Sequence, residues 1–421
     1  MIEENEIPKT WEITPLETFL DYIQPTKYIV ESTDYNDSYK TPVLTAGKSF
    51  LLGYTNETEG IFDQLPTIIF DDFTTAIKFV NFPFKVKSSA MKILVPTCEL
   101  VNIRYVFYFM ETLRLSADTH KRYWISEGAK VPIPVPPQIE QERIVSKIEE
   151  LFSELDKGIE TLKIAQQQLK IYRQAVLKYA FEGRLTNPNI KEGELPEGWV
   201  KSTFGKECDF SQGIQVDVGL QSEIKGDKQV RFLRIVDFTK GDEPLRYIDH
   251  PGERYYLSKN EIAMVRYGTV GFVCTGKEGV IANNLFKVLP SDRLSHKYLI
   301  HFLQSDLFRS KLESKGATMQ ALSFGLIKPI SIPVPAIKEQ MQIVQEIESR
   351  LSVCDKIEES IEQGLQQAEA FRQSILKKAF EGKLVPQDPS DEPASVLLER
   401  IKAERQKAQP EKKIKTKKVK A

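Results

Sequence analysis

Four short clusters hold the side chains best suited to specific chemistry: Asp71-Asp72, Lys121-Arg122, Arg266-Tyr267 and the segment around Gln320. Paired carboxylates can hold a divalent cation or accept hydrogen bonds from an exocyclic amine. An arginine forks onto two acceptors at once, and a glutamine carboxamide donates and accepts side by side. Asp71-Asp72 lacks a third ligand nearby in sequence. The histidines (His120, His250, His296, His301) and the scattered cysteines (Cys98, Cys208, Cys274, Cys354) show no metal-ligand spacing. The chain has no Gly-rich nucleotide loop, no Walker motif and no nuclease carboxylate cluster with a following lysine. It also lacks the Asn-Pro-Pro-aromatic run of an amino-methyltransferase, which Asn187-Pro188-Asn189 does not supply. The expectation is recognition, with no catalytic residue and no metal site.

The clusters fall at matched places in two globular segments. Ile68 to Thr74 matches Ala263 to Thr269 at an offset of 195, and Ser89 to Pro96 matches Asn284 to Pro290 some twenty residues on. Apolar runs at 67–70 and 260–265 predict strands, and 100–115 and 296–312 predict amphipathic helices, so each head is α+β. A second matched loop sets Thr119-His120-Lys121-Arg122 against Thr318-Met319-Gln320-Ala321. One scaffold with exchanged donors and acceptors at its loop tips suits two readers of different base sequences: Arg onto guanine, Gln onto adenine, Asp accepting from cytosine N4. The expected base readers are Asp71, Asp72, Lys121 and Arg122 in the first head, and Arg266, Tyr267 and Gln320 in the second. Lys78, Lys85, Lys87, Arg231, Arg234, Lys277 and Lys315 are the expected phosphate contacts. For any single residue, a freely drifting solvated loop stays an open alternative.

What must position these loops is an internal duplication. Ile133-Pro134-Val135-Pro136 returns as Ile332-Pro333-Val334-Pro335, and Ala180-Phe181-Glu182-Gly183 as Ala379-Phe380-Glu381-Gly382, both 199 residues later. From 133 to 185 there are 25 identities in 53 ungapped positions. Each copy reads as a helix of roughly 40–45 residues, about 60–65 Å long. It opens at Pro137 or Pro335 and ends at Gly183 or Gly382. Heptad position a holds Ile148, Leu155, Leu162, Leu169 and Val176, answered by Ile347, Cys354, Ile361, Ala368 and Ile375. Position d holds Leu151, Gly158, Ala165, Tyr172 and Tyr179, answered by Ile343, Ile357, Gly364 and Phe371. An a/d seam of this length predicts an antiparallel coiled coil, with Gly158, Ala165, Gly364 and Ala368 allowing close approach. Two helices packed separately on their own heads are the alternative.

The net charge is −1, and neither head is strongly basic: residues 1–130 carry 13 basic and 18 acidic side chains, and 186–330 carry 20 and 18. Phosphate contacts must then be focused on one face. The acidic N-terminus has no signal-peptide core, no apolar run approaches the ~20 residues that span a bilayer, and the scattered cysteines read as reduced thiols, so a cytoplasmic protein is expected. Lys412, Lys413, Lys415, Lys417, Lys418 and Lys420 form a basic, disordered tail able to touch DNA only non-specifically.

These features resemble the specificity subunits of type I restriction–modification systems. The resemblance covers nearly the whole chain. It rests on Ile-Pro-Val-Pro followed by Glu-Gln and Ile-Val (133–145 and 332–344), on the Phe-Glu-Gly ends, and on Val385-Pro386-Gln387-Asp388-Pro389 with Glu392-Pro393-Ala394-Ser395. It implies target-recognition domains at 1–132 and 199–331, long helices at 133–185 and 332–385 forming an antiparallel coiled coil, a linker at 186–198 and a C-terminal segment at 386–421. It further implies a bipartite, asymmetric double-stranded DNA site, two adenine methyltransferase subunits and two motor–nuclease restriction subunits. S-adenosylmethionine, ATP and Mg would belong to those partners, with no cofactor bound by this chain. Helix length would set the spacer between half-sites. Two other classes stay open: an adaptor whose heads bind proteins, which predicts no half-site preference, and a self-sufficient DNA-modifying enzyme, which predicts methyl transfer by the isolated chain.

Overall fold

The computed structural model describes residues 7–45, 47, 49–113, 123–191, 193–240, 243–313 and 322–408. Its elements up to the first long helix are β1 (Glu12–Pro15), β2 (Leu20–Ile23), β3 (Thr41–Leu44), β4 (Leu51–Thr55), β5 (Thr67–Asp71), β6 (Ile77–Val80), β7 (Lys85–Val86), β8 (Met91–Pro96), α1 (Ile103–Met110), α2 (Tyr123–Ser126), β9 (Pro132–Val135) and α3 (Gln138–Phe181). There follow β10 (Val200–Thr203), α4 (Phe204–Glu207), β11 (Cys208–Gln212), β12 (Gln229–Leu233), α5 (Ile235–Thr239), β13 (Tyr247–Asp249), β14 (Tyr256–Leu257), β15 (Ile262–Val265), β16 (Val273–Cys274), β17 (Gly279–Ile281) and β18 (Leu285–Pro290). The chain ends with α6 (His296–Leu303), α7 (Asp306–Glu313), α8 (Phe324–Ile327), β19 (Ser331–Val334), α9 (Ile337–Phe380) and α10 (Ala394–Ala408). Two compact units result: Met1–Thr161 with Gly364–Ala421, and Leu162–Gln363. Each long helix gives one stretch to each unit.

The units share one α+β plan. The first holds sheets β2-β8-β5-β6 and β4-β3-β7 with the pair β1-β9; the second holds β11-β18-β15-β16 and β13-β12-β17-β14 with the pair β10-β19. The registers correct the expected alignment of the heads. Ile68 pairs with Leu94, and Ile262 with Val288, so the scaffolds superpose at an offset of 194, not 195. Side chains alternate faces along a strand, so the one-residue slip would have turned each strand inside out. At 194, Ile68, Phe70 and Leu94 fall with Ile262, Met264 and Val288 in the cores that face the long helices. Ile69 and Met91 fall with Ala263 and Leu285 in the smaller cores. The expected helix over 296–312 is broken: buried Ser305 gives its Oγ–H to Phe302 O (2.6 Å) and accepts from Phe308 N, which ends α6 and starts α7.

The duplicated motifs turn out to be joints. Gln141 and Gln340 are buried and fold back to donate to Pro136 O (3.0 Å) and Pro335 O (2.8 Å), fixing the strand-to-helix corner. The hydroxyls of Tyr105 on α1 and Tyr298 on α6 donate to Pro134 O and Pro333 O, and burial drives both phenol pKa values well above their ordinary value. Ion pairs Arg104–Glu149 and Lys297–Glu348 tie the same two helices to the long ones. Gly183 and Gly382 end the long helices at φ +77° and +70°. A Cβ there would lie 2.2 Å from Pro196 and 2.4 Å from Pro8, beside Trp199 and Trp11. The opening Pro-x-x-Trp of each head thus seats on a helix end. In the second unit that helix is α3, just before the head in sequence; in the first it is α9, at the far end of the chain.

In the first unit Arg372 of α9 meets Asp156 of α3 (2.5 Å) and lies over Phe152; in the second Arg173 of α3 meets Asp355 and Glu358 of α9 (2.7 and 2.8 Å). The two long helices are antiparallel and in contact. The seam differs from the a/d expectation. The a residues Ile148, Leu169, Val176, Ile347, Cys354, Ile361 and Ala368 are buried, as is the d residue Ile343, whereas the d residues Tyr172, Tyr179, Ile357 and Phe371 are exposed. Two helices can cover one stripe each, and the flanking arginines complete it in place of d. Gly158 also departs from expectation: it is exposed, with nothing near its Cβ position. The segment 386–421 holds more than a tail, because α10 packs Ala394, Leu397 and Ile401 into the first unit's core and Arg405 reaches Asp21 (2.6 Å). The tail lysines Lys412 to Lys420 lie outside the described residues.

Candidate nucleic-acid interface

In the second unit, the polar groups gather where β12 and β15 end. Leu233 O accepts from Ala282 N, and Asn284 O accepts from Arg266 N, each at 2.9 Å. The turn 282–284 therefore bridges the two strand ends. On it, Asn283 Nδ2 donates to Gln215 Oε1 (3.0 Å), at the surface. Asn284 Oδ1 is buried with no partner among the described residues. Arg266 is fixed from both sides: its Nε donates to Leu322 O (3.2 Å), its carbonyl accepts from Leu322 N, and its guanidinium lies 5.3 Å from the centre of the exposed Tyr267 ring. An arginine held at its Nε still presents its terminal nitrogens, and a stacked guanidinium is preorganised for planar recognition.

The equivalent strand end in the first unit carries Asp71, Asp72 and Phe73. Asp71 Oδ1 accepts from Phe73 N (2.8 Å) and Thr74 N (3.0 Å), an Asx-type turn that shapes the loop. Phe73 and Tyr267 occupy the same position, and both rings are exposed. Two expected contacts are corrected. Asp72 is buried, pairs with Lys92 (3.0 Å) and accepts from Trp124 N (3.0 Å), so its carboxylate braces the sheet and does not face a ligand. Lys85 is buried between Glu57 (2.7 Å) and the carbonyl of Glu59 (2.7 Å), which leaves no cation for a phosphate. Lys78 and Lys87 are exposed, as a phosphate contact needs.

Arg231, Arg234 and the distant Lys277 converge on Asp237. Lys121, Arg122, Lys315 and Gln320 lie outside the described residues. Sequence reading missed Phe73, Gln215, Asn283 and Asp237. The Asn-Asn pair before a strand was a usable signal for the turn, whereas nothing local marked Asp237.

Other chemistry finds little support. Among the described residues, no group of His, Cys, Asp and Glu could hold a metal ion and no helix is long and apolar enough to cross a membrane. The cysteines are free, and burial pushes the Cys208 and Cys274 thiols up to about 12, so neither is a ready nucleophile. Burial lowers the pKa of His301, partly offset by Glu348.

Comparison with known proteins identifies the family. The model of the type I restriction modification DNA specificity domain matches residues 221–367. The specificity subunit of the type I restriction enzyme EcoR124I/EcoR124II from Escherichia coli is 32% identical over 389 residues, covering 86% of this chain and 91% of that one. That of EcoBI, also from Escherichia coli, is 29% identical, covering 65% and 64%. In fold, the chain is similar to one from a structure on complex assembly and conformational transition of the type I R-M system, with a TM-score of 0.68, 18% identity and 90% and 99% of the chains covered. It is similar also to the HsdS subunit from Thermoanaerobacter tengcongensis, with a TM-score of 0.51, 19% identity and 90% and 98% covered. With two heads on one plan and joints that are duplicated, and at this identity over most of both chains, the chain belongs to the specificity subunits of type I restriction–modification systems, the non-catalytic members that recognise the DNA target within the complex.

Proposed function

We propose that each head reads one half of a bipartite, asymmetric double-stranded DNA site, with recognition domains at 1–132 and 199–331, helical spacers at 133–185 and 332–385, and a linker at 186–198. The observation that carries this reading is one strand register used twice with different side chains at the same strand end: Asp71 and Phe73 in one head, Arg266 and Tyr267 in the other. Asp71, Phe73, Lys78 and Lys87 serve the first half-site, with Lys121 and Arg122. Arg266, Tyr267, Gln215 and Asn283 serve the second, with Lys315 and Gln320. Exchanging residues 1–132 for the head of another specificity subunit, followed by methylome sequencing of the host, is expected to change one half-site and leave the other. A change in both halves, or in neither, would overturn the assignment.

The partners are two adenine methyltransferase subunits and two motor–nuclease subunits, which bring S-adenosylmethionine, ATP and Mg. The duplication leaves an exposed aromatic at the same helix position in each unit, Tyr172 (47% exposed) and Phe371 (59%). Large apolar side chains held in water at matched sites suit two identical partners. Tyr172→Asp with Phe371→Asp is expected to preserve the unfolding transition and abolish co-purification of the methyltransferase, and each single change should retain one copy. Retention of both copies by the double variant would remove this face from the assembly.

A further inference from the structure

Asp237 is the only acidic side chain bonded to Arg231 and Arg234 among the described residues. Its Oδ1 accepts from Arg231 Nη2 (3.3 Å), and its Oδ2 accepts from Arg234 N (2.8 Å) and Nε (3.0 Å). Its carbonyl takes Lys277 Nζ, and Arg234 Nη2 also donates to Pro244 O (2.7 Å). One carboxylate, 1% exposed, thus faces two guanidinium groups, and the two arginine side chains keep 29% and 22% of their surface in water. Arg231 Nε has no acceptor among the described residues. In the first unit the strand that matches β12 is β3, Thr41–Leu44, which carries no arginine or lysine. The arginine pair therefore belongs to the second head alone. It also lies at the strand end already described: Arg234 follows Leu233, and the turn 282–284, about 10 Å of chain, links Leu233 to Arg266.

We propose that Asp237 is a positioning residue that holds Arg231 and Arg234 as a preformed clamp for the DNA backbone phosphates flanking the bases approached by Arg266 and Tyr267. This rests on the half-site reading above. A guanidinium fixed in advance loses less freedom on binding than a free one and can fork onto phosphate oxygens. The surplus charge is what a polyanion neutralises. Lys277, tied to the Asp237 carbonyl and lying beside the Phe238 ring, braces the same short segment from behind.

The test measures affinity of the reconstituted complex with its methyltransferase subunits for duplex carrying its own site, across a salt series. Arg231→Gln and Arg234→Gln are each expected to flatten the slope of log K against log salt by about 0.9, which is about an eightfold loss at 0.1 M salt, with the methylated sequence unchanged. Wild-type slopes in both would overturn the proposal. Asp237→Asn adds one net positive charge, so a mere counter-charge predicts tighter binding, whereas a positioning residue predicts weaker binding. Tighter binding by a folded Asp237→Asn complex also overturns it. If that variant does not fold, Arg231→Lys decides, because it keeps the charge and loses the fork: weaker binding supports the clamp, and unchanged binding refutes it. A wild-type complex that fails to prefer its own site over scrambled duplex would instead sink the half-site reading.

Discussion

Phe380→Ala is expected to destabilise the first unit by about 3–5 kcal/mol, the usual cost of truncating a buried phenylalanine. Phe380 closes the α9 end against Tyr105 and Phe109, with ring centroids at 5.2 and 5.3 Å. Both partners belong to a head more than 250 residues away in sequence. Phe181 makes the matching contacts with Tyr298 and Phe302 at 5.1 and 5.0 Å. Phe181→Ala should therefore weaken the second unit and leave the first nearly untouched. Hydrogen exchange resolved by peptide separates the two outcomes: Phe380→Ala should speed exchange in 67–110 and spare 262–303. Faster exchange in the second unit instead would mean that the α9 end does not support the first head. In function, the same change should erase one half-site preference before the other.

Removing the Asp72 carboxylate is the second change with a large expected effect. The pair Asp72–Lys92 has side chains only 2% and 6% exposed. Asp72→Ala leaves a buried ammonium unmatched and the Trp124 N–H without its acceptor, at a cost of about 3–5 kcal/mol. A residue that merely touched a base would alter the sequence read and leave unfolding unchanged. Asp72→Leu combined with Lys92→Met, which removes both charges, should recover most of the loss, because a buried ion pair is often replaceable by apolar packing. Urea unfolding of the three proteins checks this. A fully stable Asp72→Ala protein would show that the pair braces nothing and return Asp72 to the list of base contacts.

The two corrected contacts have the same origin. Asp72 and Lys85 stand in polar, loop-like stretches, and their residue types suit recognition. Each is instead consumed by a partner that sequence distance hides: Lys92 across the sheet, and Glu57 from another turn. The place of Lys277 against Asp237 was hidden for the same reason, since 40 residues separate the two. The alignment of the heads slipped by one residue because letter matching prefers Lys92 over Lys287, whereas strand pairing sets Lys92 opposite Phe70 and Lys287 opposite Ala263.

By itself the sequence determined the duplication, the two long helices and their ends, the α+β heads and the family. All of these are periodic or repeated signals carried by neighbouring residues, and a 25-identity repeat needs no third dimension to be seen. Tertiary structure alone decided which helix end supports which head, that the d residues Tyr172, Tyr179, Ile357 and Phe371 stay exposed, and which charged side chains are buried against a partner. Those outcomes depend on burial and on partners distant in the chain, and a charge buried against its counter-ion is spelled with the same letters as one that waits for a phosphate.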